Sequence, residues 1–413
     1  MRILYTFGIR LYKTLIGFAS LFNSKAKKIS EAQKGLLQKI KSEVEPGHII
    51  WFHVSSVGEF EQAIPIIEKI KENDPFKKIL VSFFSPSGYE LRKNYKLAEY
   101  VFYLPFDTPK NVKQFLEIVK PEQVFFVKYE FWFNYIYQIR NLGIPLYLVS
   151  GIFRPSQHFF KPYGSWFAKH LKMFTHLFIQ DSVSASLLKK IGVNNYTVSG
   201  DTRFDRVYQN TLNPLQFDDI ANFSEGNKVL LLGSSWPDDE KLIAEYNLLN
   251  NKEIKIIIAP HEINEEHLQK IEKLFTTSKI KRWSKISSSD KLQDINVILV
   301  DSIGKLMHLY QYADVAYVGG GFGAGIHNIL EAACFGKPIV YGPNYHKFKE
   351  ARDLIELKGA FSVSNFDDLE KILNKLLFNN DFLERSSNQC IQYVNSNIGS
   401  STKVYEYCFN SIK

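Results

Sequence analysis

Cysteine is scarce in this chain: three residues among 413, Cys334, Cys390 and Cys408, with no CxxC pair and no ligand-like spacing. That scarcity excludes a disulfide framework and a cysteine zinc site, and it points to a reducing compartment. Acid is outnumbered as well. Against 51 Lys and Arg stand 43 Asp and Glu, a formal charge of +8. Such a chain attracts polyanions, whether nucleic acid, anionic lipid or phosphorylated substrate. No RNA- or DNA-binding motif accompanies the charge, so nucleic acid is not an expected partner. No repeat of solenoid period is visible. The remaining composition, 45% hydrophobic and 15% aromatic, is that of a globular protein long enough for two or three domains.

The first 28 residues contain no acid and six basic residues, while Leu4, Leu11, Leu15, Phe18 and Phe22 recur at roughly helical spacing. This pattern predicts an interfacial helix whose cations meet anionic lipid while Leu and Phe enter the acyl boundary. Arg10 and Lys13 interrupt the apolar run, and a span needs about 20 mostly apolar residues, so crossing the bilayer is disfavoured. No clean cleavage site follows, which argues against a signal peptide. The competing reading is a helix packed on the protein's own core.

Beyond it, apolar β-rich runs alternate with amphipathic stretches. Strands are predicted at 49–54, 79–84, 101–104, 124–127, 146–149, 177–179 and 196–198, then at 229–232, 256–259, 297–300, 315–318, 339–341 and 360–363. This alternation means βαβ units and mainly parallel sheets. The expected fold class is α/β: two Rossmann-like, doubly wound domains facing a cleft, with an N-terminal membrane-associating helix. The expected divisions are 1–28 for that helix, 29–210 for a first Rossmann-like domain, 211–227 for a linker, and 228–413 for a second, whose last helix packs back on the first. The linker is read from the polar, weakly periodic stretch 209–227, and 284–290 is read as a local polar loop.

Three strand-to-helix turns carry chemistry. In HIIWFHVSSVGEFE an apolar run ends in a Ser/Gly turn and opens a helix with Glu59 near its start, at the carboxyl edge of a strand where ligands of open α/β sheets gather. Ser56-Val57-Gly58-Glu59 also fits a capping box, so this spacing leaves base and cap both open. In VAYVGGGFGAGIHNILE a buried strand enters a loop with glycines 319, 320, 321, 323 and 325, whose backbone N–H groups suit an anion at a helix start. It lacks the Gly-Lys-Ser/Thr of a Walker loop. Asn328 and Glu331, three apart, are expected on one helical face, where Glu331 suits ribose hydroxyls. In LLLGSSWPDDE, Ser234 and Ser235 precede a helix beginning near Pro237 and suit either a phosphate or an N-cap. Pro260 and His261 end a further strand.

These blocks, from HVSSVGEFEQAIPII through SGDTRFD and GSSWPDDE to VDSIGKLMHLYQYADVAYVGGGFGAGIHNILEAACFGKPIVYGP, resemble the Kdo transferases over nearly the whole chain. Those enzymes attach 3-deoxy-D-manno-octulosonic acid (Kdo) to lipid A precursors. The resemblance implies a GT-B glycosyltransferase that uses CMP-Kdo, needs no metal or other cofactor, and works at the cytoplasmic face of the bacterial inner membrane on a phosphorylated glycolipid, lipid IVA. It implies Glu59 as catalytic base and Glu130 of YEFWFN as the acidic residue of the E-x-W-P-N segment. It places Asn328 and Glu331 in the HN-x-LE nucleotide motif. Where the family reads Asn-x-Arg-x-Ser this chain has SGIFRPSQ, leaving Arg154 at a shifted position. Pro-Arg-His is reduced to Pro260-His261, Arg203 stands in a lysine place, and Phe133 replaces the proline after Trp132.

The expected donor set is therefore Ser234, Ser235, Pro260, His261, Gly319, Gly320, Gly321, Gly323, Asn328, Glu331 and Arg203. Ser56, Gly58 and Arg154 are candidates for the acceptor or the donor carboxylate. Two rivals stand beside this expectation: another GT-B enzyme using a UDP-sugar, transferase or 2-epimerase, and a non-catalytic membrane-attached nucleotide-sugar-binding protein.

Overall fold

In the computed structural model, which describes residues 1–250, 254–287 and 289–410, the chain divides into two units. The first is Met1–Arg206 with the C-terminal segment from Ile398, and the second is Val207–Asn397.

The first unit holds β1 (Ile49–Val54), β2 (Lys78–Phe83), β3 (Tyr100–Tyr103), β4 (Gln123–Val127), β5 (Leu146–Gly151), β6 (His176–Ile179) and β7 (Tyr196–Val198) in the order β3-β2-β1-β4-β5-β6-β7. Every pairing is parallel. All six residues of β1 are buried, as expected of a strand covered by helices on both faces. The order steps outward in both directions from the β1–β4 pair, so the topological switch point, where an open parallel sheet leaves a crevice, lies beyond the carboxyl ends of those two strands.

The second unit repeats the design with β8 (Lys228–Ser235), β9 (Ile254–Pro260), β10 (Ile280–Arg282), β11 (Val297–Leu299), β12 (Val315–Val318), β13 (Ile339–Tyr341) and β14 (Ala360–Ser362). Their order is β10-β11-β9-β8-β12-β13-β14, again all parallel, with the switch point between β8 and β12.

Several local expectations are corrected. Edge strand β10, Ile-Lys-Arg, has two cations in three residues and no apolar run to announce it. The stretch 209–227 is not an irregular linker: it carries the end of the Thr202–Leu212 helix and the helix Asp218–Ser224. Ile220 and Phe223 supply a buried apolar pair, too short a periodicity to stand out among Asn and Asp. The polar stretch 284–290 includes the end of a 3₁₀ turn, Trp283–Lys285, and Ser288 lies outside the described residues. The tail from Ile398 packs in the first unit, where the Asp205 carboxylate accepts from Gly399 N at 2.5 Å and Ser401 N at 2.7 Å.

The N-terminal helix α1 (Arg2–Ala19) buries only Ile16. Ile3, Leu4, Phe7, Leu11, Leu15 and Phe18 are exposed, and Leu21 and Phe22 continue the apolar surface. Among the described residues no helix is long and apolar enough to cross a membrane.

Candidate functional site

Both switch points carry the residues singled out from the sequence. After β1, Ser55-Ser56 turns into the Val57–Asn73 helix, whose N-cap is Ser56. The capping box is complete: Glu59 N donates to Ser56 Oγ at 3.4 Å, and Glu59 Oε2 accepts from Ser55 N at 2.6 Å and Ser56 N at 3.1 Å. Glu59 is only 9% exposed. Burial and then the nearby Glu130 carboxylate push its carboxyl above the ordinary range, and the amides of Ser55 and Ser56 and the charge of His53 only partly offset this. Cap and base are therefore compatible, because the backbone bonds fall on Oε2 and leave Oε1 for other work. At Gly58 an added Cβ would meet open space, leaving room beside the carboxylate.

After β4, Glu130 sits in the middle of the five-residue turn 128–132 before the Phe133–Asn141 helix. Its Oε2 accepts from Trp132 Nε1 at 2.6 Å and faces His53 Nε2 at 2.8 Å. Burial disfavours its charge, but His53 together with Ser55 and Trp132 outweighs that and holds the carboxyl below the ordinary range. His53, on β1, was not foreseen. It is fully buried, and its Nδ1 lies 2.9 Å from Ser82 Oγ, which itself accepts from Trp51 Nε1 at 2.8 Å. Nδ1 also lies 3.0 Å from the Ser82 backbone carbonyl oxygen, so both ring nitrogens face acceptors, Ser82 O on one side and the Glu130 carboxylate on the other, and the ring ties β2 to the turn after β4. An isolated histidine in an apolar strand reads as core; only the β1–β4 pairing reveals its partner.

Arg154 is exposed, and burial raises the Tyr129 hydroxyl above its ordinary range against the opposing charges of Arg154 and Arg203. Arg203, expected among the donor contacts, belongs to the first unit and donates through Nε to Asp201 Oδ2 at 2.8 Å. Burial would raise Asp201, but Arg203 and its other hydrogen bonds win and lower it. Lys128 at the end of β4 has φ +63°, a strained conformation of the kind that concentrates at functional sites.

In the second unit β8 ends in Ser234, with φ +52°, and Ser235. The Ser235 hydroxyl is buried and already engaged, donating to Glu240 Oε1 at 2.8 Å, while Glu240 Oε2 faces His267 Nε2 at 2.9 Å. The glycine loop is also corrected. Gly319 N donates to Gly233 O, Gly320 N to Asp239 Oδ2, and Gly323 N and Gly325 N to Gly320 O, so four of the five glycine amides are engaged within the protein. These glycines chiefly permit close backbone approach: a Cβ on Gly319 would lie 2.4 Å from Ser234 O, and one on Gly321 2.5 Å from Gly342 N. Asn328 precedes the short Leu330–Cys334 helix rather than sharing its face with Glu331. It accepts from Leu330 N at 3.1 Å and donates to Glu331 Oε1 at 3.0 Å, aiming that carboxylate.

What the loops after β8, β9 and β12 do build is an aromatic platform. Trp236 stacks on His261 at 4.8 Å and His261 on His327 at 4.3 Å. Burial, then His261, holds His327 below the ordinary histidine range, so its neutral Nε2 accepts from Trp236 Nε1 at 2.9 Å. Pro260 ends β9, and His261 N donates to Ser235 O. Trp236 and His327 were quoted in the sequence motifs but given no role. Trp236 follows β8 directly, which was the available signal for it, while His327 lies nine residues past β12 at the far end of the glycine loop.

The model of the family described as "3-Deoxy-D-manno-octulosonic-acid transferase (kdotransferase)" matches residues 26–206. Those residues are similar to the Kdo transferase domain that the model describes. Kdo transferases are also the relatives of the chain over most of its length. The 3-deoxy-D-manno-octulosonic acid transferase of Haemophilus influenzae is 25% identical, covering 87% of this chain and 86% of the relative. That of Aquifex aeolicus is 29% identical, covering 79% and 86%. The UDP-GlcNAc 2-epimerase of Neisseria meningitidis, solved with UDP-GlcNAc, superposes with a TM-score of 0.62 at 16% identity, over 88% of this chain and all of that one, which shows a shared fold. Kdo transferases are glycosyltransferases, and that is the enzyme class these likenesses support. The matched segment contains Glu59, Glu130, Arg154 and Arg203.

Proposed function

We propose that this chain transfers Kdo from CMP-Kdo to a phosphorylated glycolipid precursor of lipid A, lipid IVA, with inversion at the anomeric carbon. The observation that carries the reading is the pair of acids at the β1–β4 switch point: Glu59, with a raised carboxyl, beside Glu130, pinned by His53 and Trp132. Two carboxyls whose environments push them apart are suited to different tasks. Glu59 takes the proton from the attacking acceptor hydroxyl, and Glu130 stays ionised and orients the turn around it. CMP leaves readily and needs little protonation, so the donor half has to hold nucleotide and phosphate rather than supply an acid. The Trp236–His261–His327 stack offers the nucleotide a flat partner, and Glu331, aimed by Asn328, suits the ribose hydroxyls. The scheme calls on no metal.

Lipid IVA incubated with CMP-Kdo and the protein, followed by mass spectrometry, tests the reading: a product heavier by one or more Kdo residues supports it. Titration with CMP against UDP separates it from the UDP-sugar alternatives, because preference for UDP together with no lipid product sinks the proposal. Glu331→Ala raises the KM for CMP-Kdo about tenfold or more, the worth of a hydrogen bond to a charged group, and unchanged donor KM removes Glu331 from the ribose.

The proposed location is the cytoplasmic face of the inner membrane, with α1 lying on anionic lipid. Exposed Phe7, Leu11 and Phe18 enter the acyl boundary, and Arg10 and Lys13 meet headgroups. Replacing Phe7, Leu11 and Phe18 by Ser abolishes most co-sedimentation with anionic vesicles while leaving the melting temperature unchanged. Undiminished co-sedimentation places the membrane surface elsewhere.

A further inference from the structure

The helix with the exposed apolar surface is also wired to the acid-bearing turn. Asp107, four residues beyond β3, is completely buried, and its carboxylate serves three donors: Tyr5 Oη at 2.6 Å, Asn134 N at 3.1 Å and Tyr135 N at 3.0 Å. The two amides belong to the first turn of the Phe133–Asn141 helix, whose own N-cap position, Trp132, provides no side-chain cap. Asp107 is thus an N-cap lent by another element, satisfying amides that would otherwise be orphaned. Asn134 closes the ring by donating through Nδ2 to Asp107 O at 2.7 Å, and its Oδ1 accepts from Arg2 Nε at 3.2 Å. The Tyr5 ring meets Phe133 edge-on at 5.1 Å. Phe133 is the residue at which this chain departs from the family's proline, and it follows directly on Trp132, whose indole holds Glu130.

We infer that Tyr5 and Asp107 are positioning residues that latch α1 onto the turn carrying Glu130, so that the seating of the N-terminal helix sets the placement of that carboxylate. Glu130 is the middle residue of the five-residue turn 128–132, with β4 fixing one end and the Asp107-capped helix the other. Freeing the capped end therefore loosens Trp132 first and the Glu130 carboxylate with it. The inference rests on the reading of Glu130 as part of the transferase site, but the latch itself is a geometric claim that can be read without turnover.

The test uses the full chain carrying Tyr5→Phe, which removes the hydroxyl and keeps the ring edge against Phe133, so the helix stays packed. Hydrogen exchange at the Asn134 and Tyr135 amides, kcat and KM for CMP-Kdo, and co-sedimentation with anionic vesicles are measured on variant and wild type. Loss of one hydrogen bond to a buried carboxylate speeds exchange at both amides and lowers kcat about tenfold, with donor KM and vesicle binding unchanged. Unchanged exchange overturns the latch. Faster exchange with wild-type kcat overturns its role in positioning Glu130. A wild type with no transferase activity refutes the proposed reaction instead, and the exchange comparison still decides whether Tyr5 and Asp107 form the latch.

Discussion

Glu59→Gln lowers turnover by about 10² to 10⁴, the usual worth of a general base, and leaves CMP-Kdo affinity near that of the wild type. The substitution is informative because of the local structure. Glutamine is as acceptable as glutamate at the third position of a capping box, and its carbonyl can still accept from Ser55 N and Ser56 N. The helix start survives while the proton acceptor is lost, so the two roles of Glu59 are separated in one variant. The pH profile gives a second reading. Burial and the Glu130 charge raise the Glu59 carboxyl, so the base is fully ionised only above that raised value, and activity falls as pH drops through it. The acid limb of kcat therefore lies above the ordinary glutamate range and disappears in the residual activity of Glu59→Gln. Near-normal turnover of that variant removes Glu59 from the chemistry.

Glu130→Ala destabilises the protein by about 3 to 5 kcal/mol, the range for removing one partner of a buried pair. The magnitude follows from what is left behind. His53 Nε2 and the Trp132 indole N–H both lose their acceptor, with the His53 side chain wholly buried and that of Glu130 only 7% exposed. Urea melts of Glu130→Ala, His53→Ala and the double variant measure the coupling directly. Strict additivity of the single changes would mean that the two side chains do not stabilise one another. Glu130→Gln, which can still accept from either donor, costs less than Glu130→Ala, and the gap between them reports the hydrogen bonding.

The sheets were legible because parallel strands buried on both faces read as unbroken apolar runs: IIWFHV, VFFV and IIIAP need no alternation to be recognised. What failed were elements without that signature. Ile-Lys-Arg at the edge of the second sheet, and Ile220 with Phe223 in a polar stretch, carry too few apolar residues for a periodicity to form. The capping box around Glu59 was legible because it is local, spanning four residues. The roles expected of Ser235 and the glycine amides were not, since Glu240 and Asp239 compete for the same groups from the next helix. A hydroxyl or amide that suits a phosphate suits a neighbouring carboxylate equally well, and sequence does not rank the two.

By itself the sequence determined two parallel sheets, a basic amphipathic N-terminus and a carboxylate at a helix start, all consequences of short-range periodicity and spacing. Only the tertiary structure decided that Glu130 meets His53 across 77 residues, that Asp107 caps a helix it does not belong to, and that Trp236, His261 and His327 stack. The reason is physical: strand order, not sequence distance, chooses which loops share a switch point, and a polar group's function is fixed by whichever partner the fold delivers to it first.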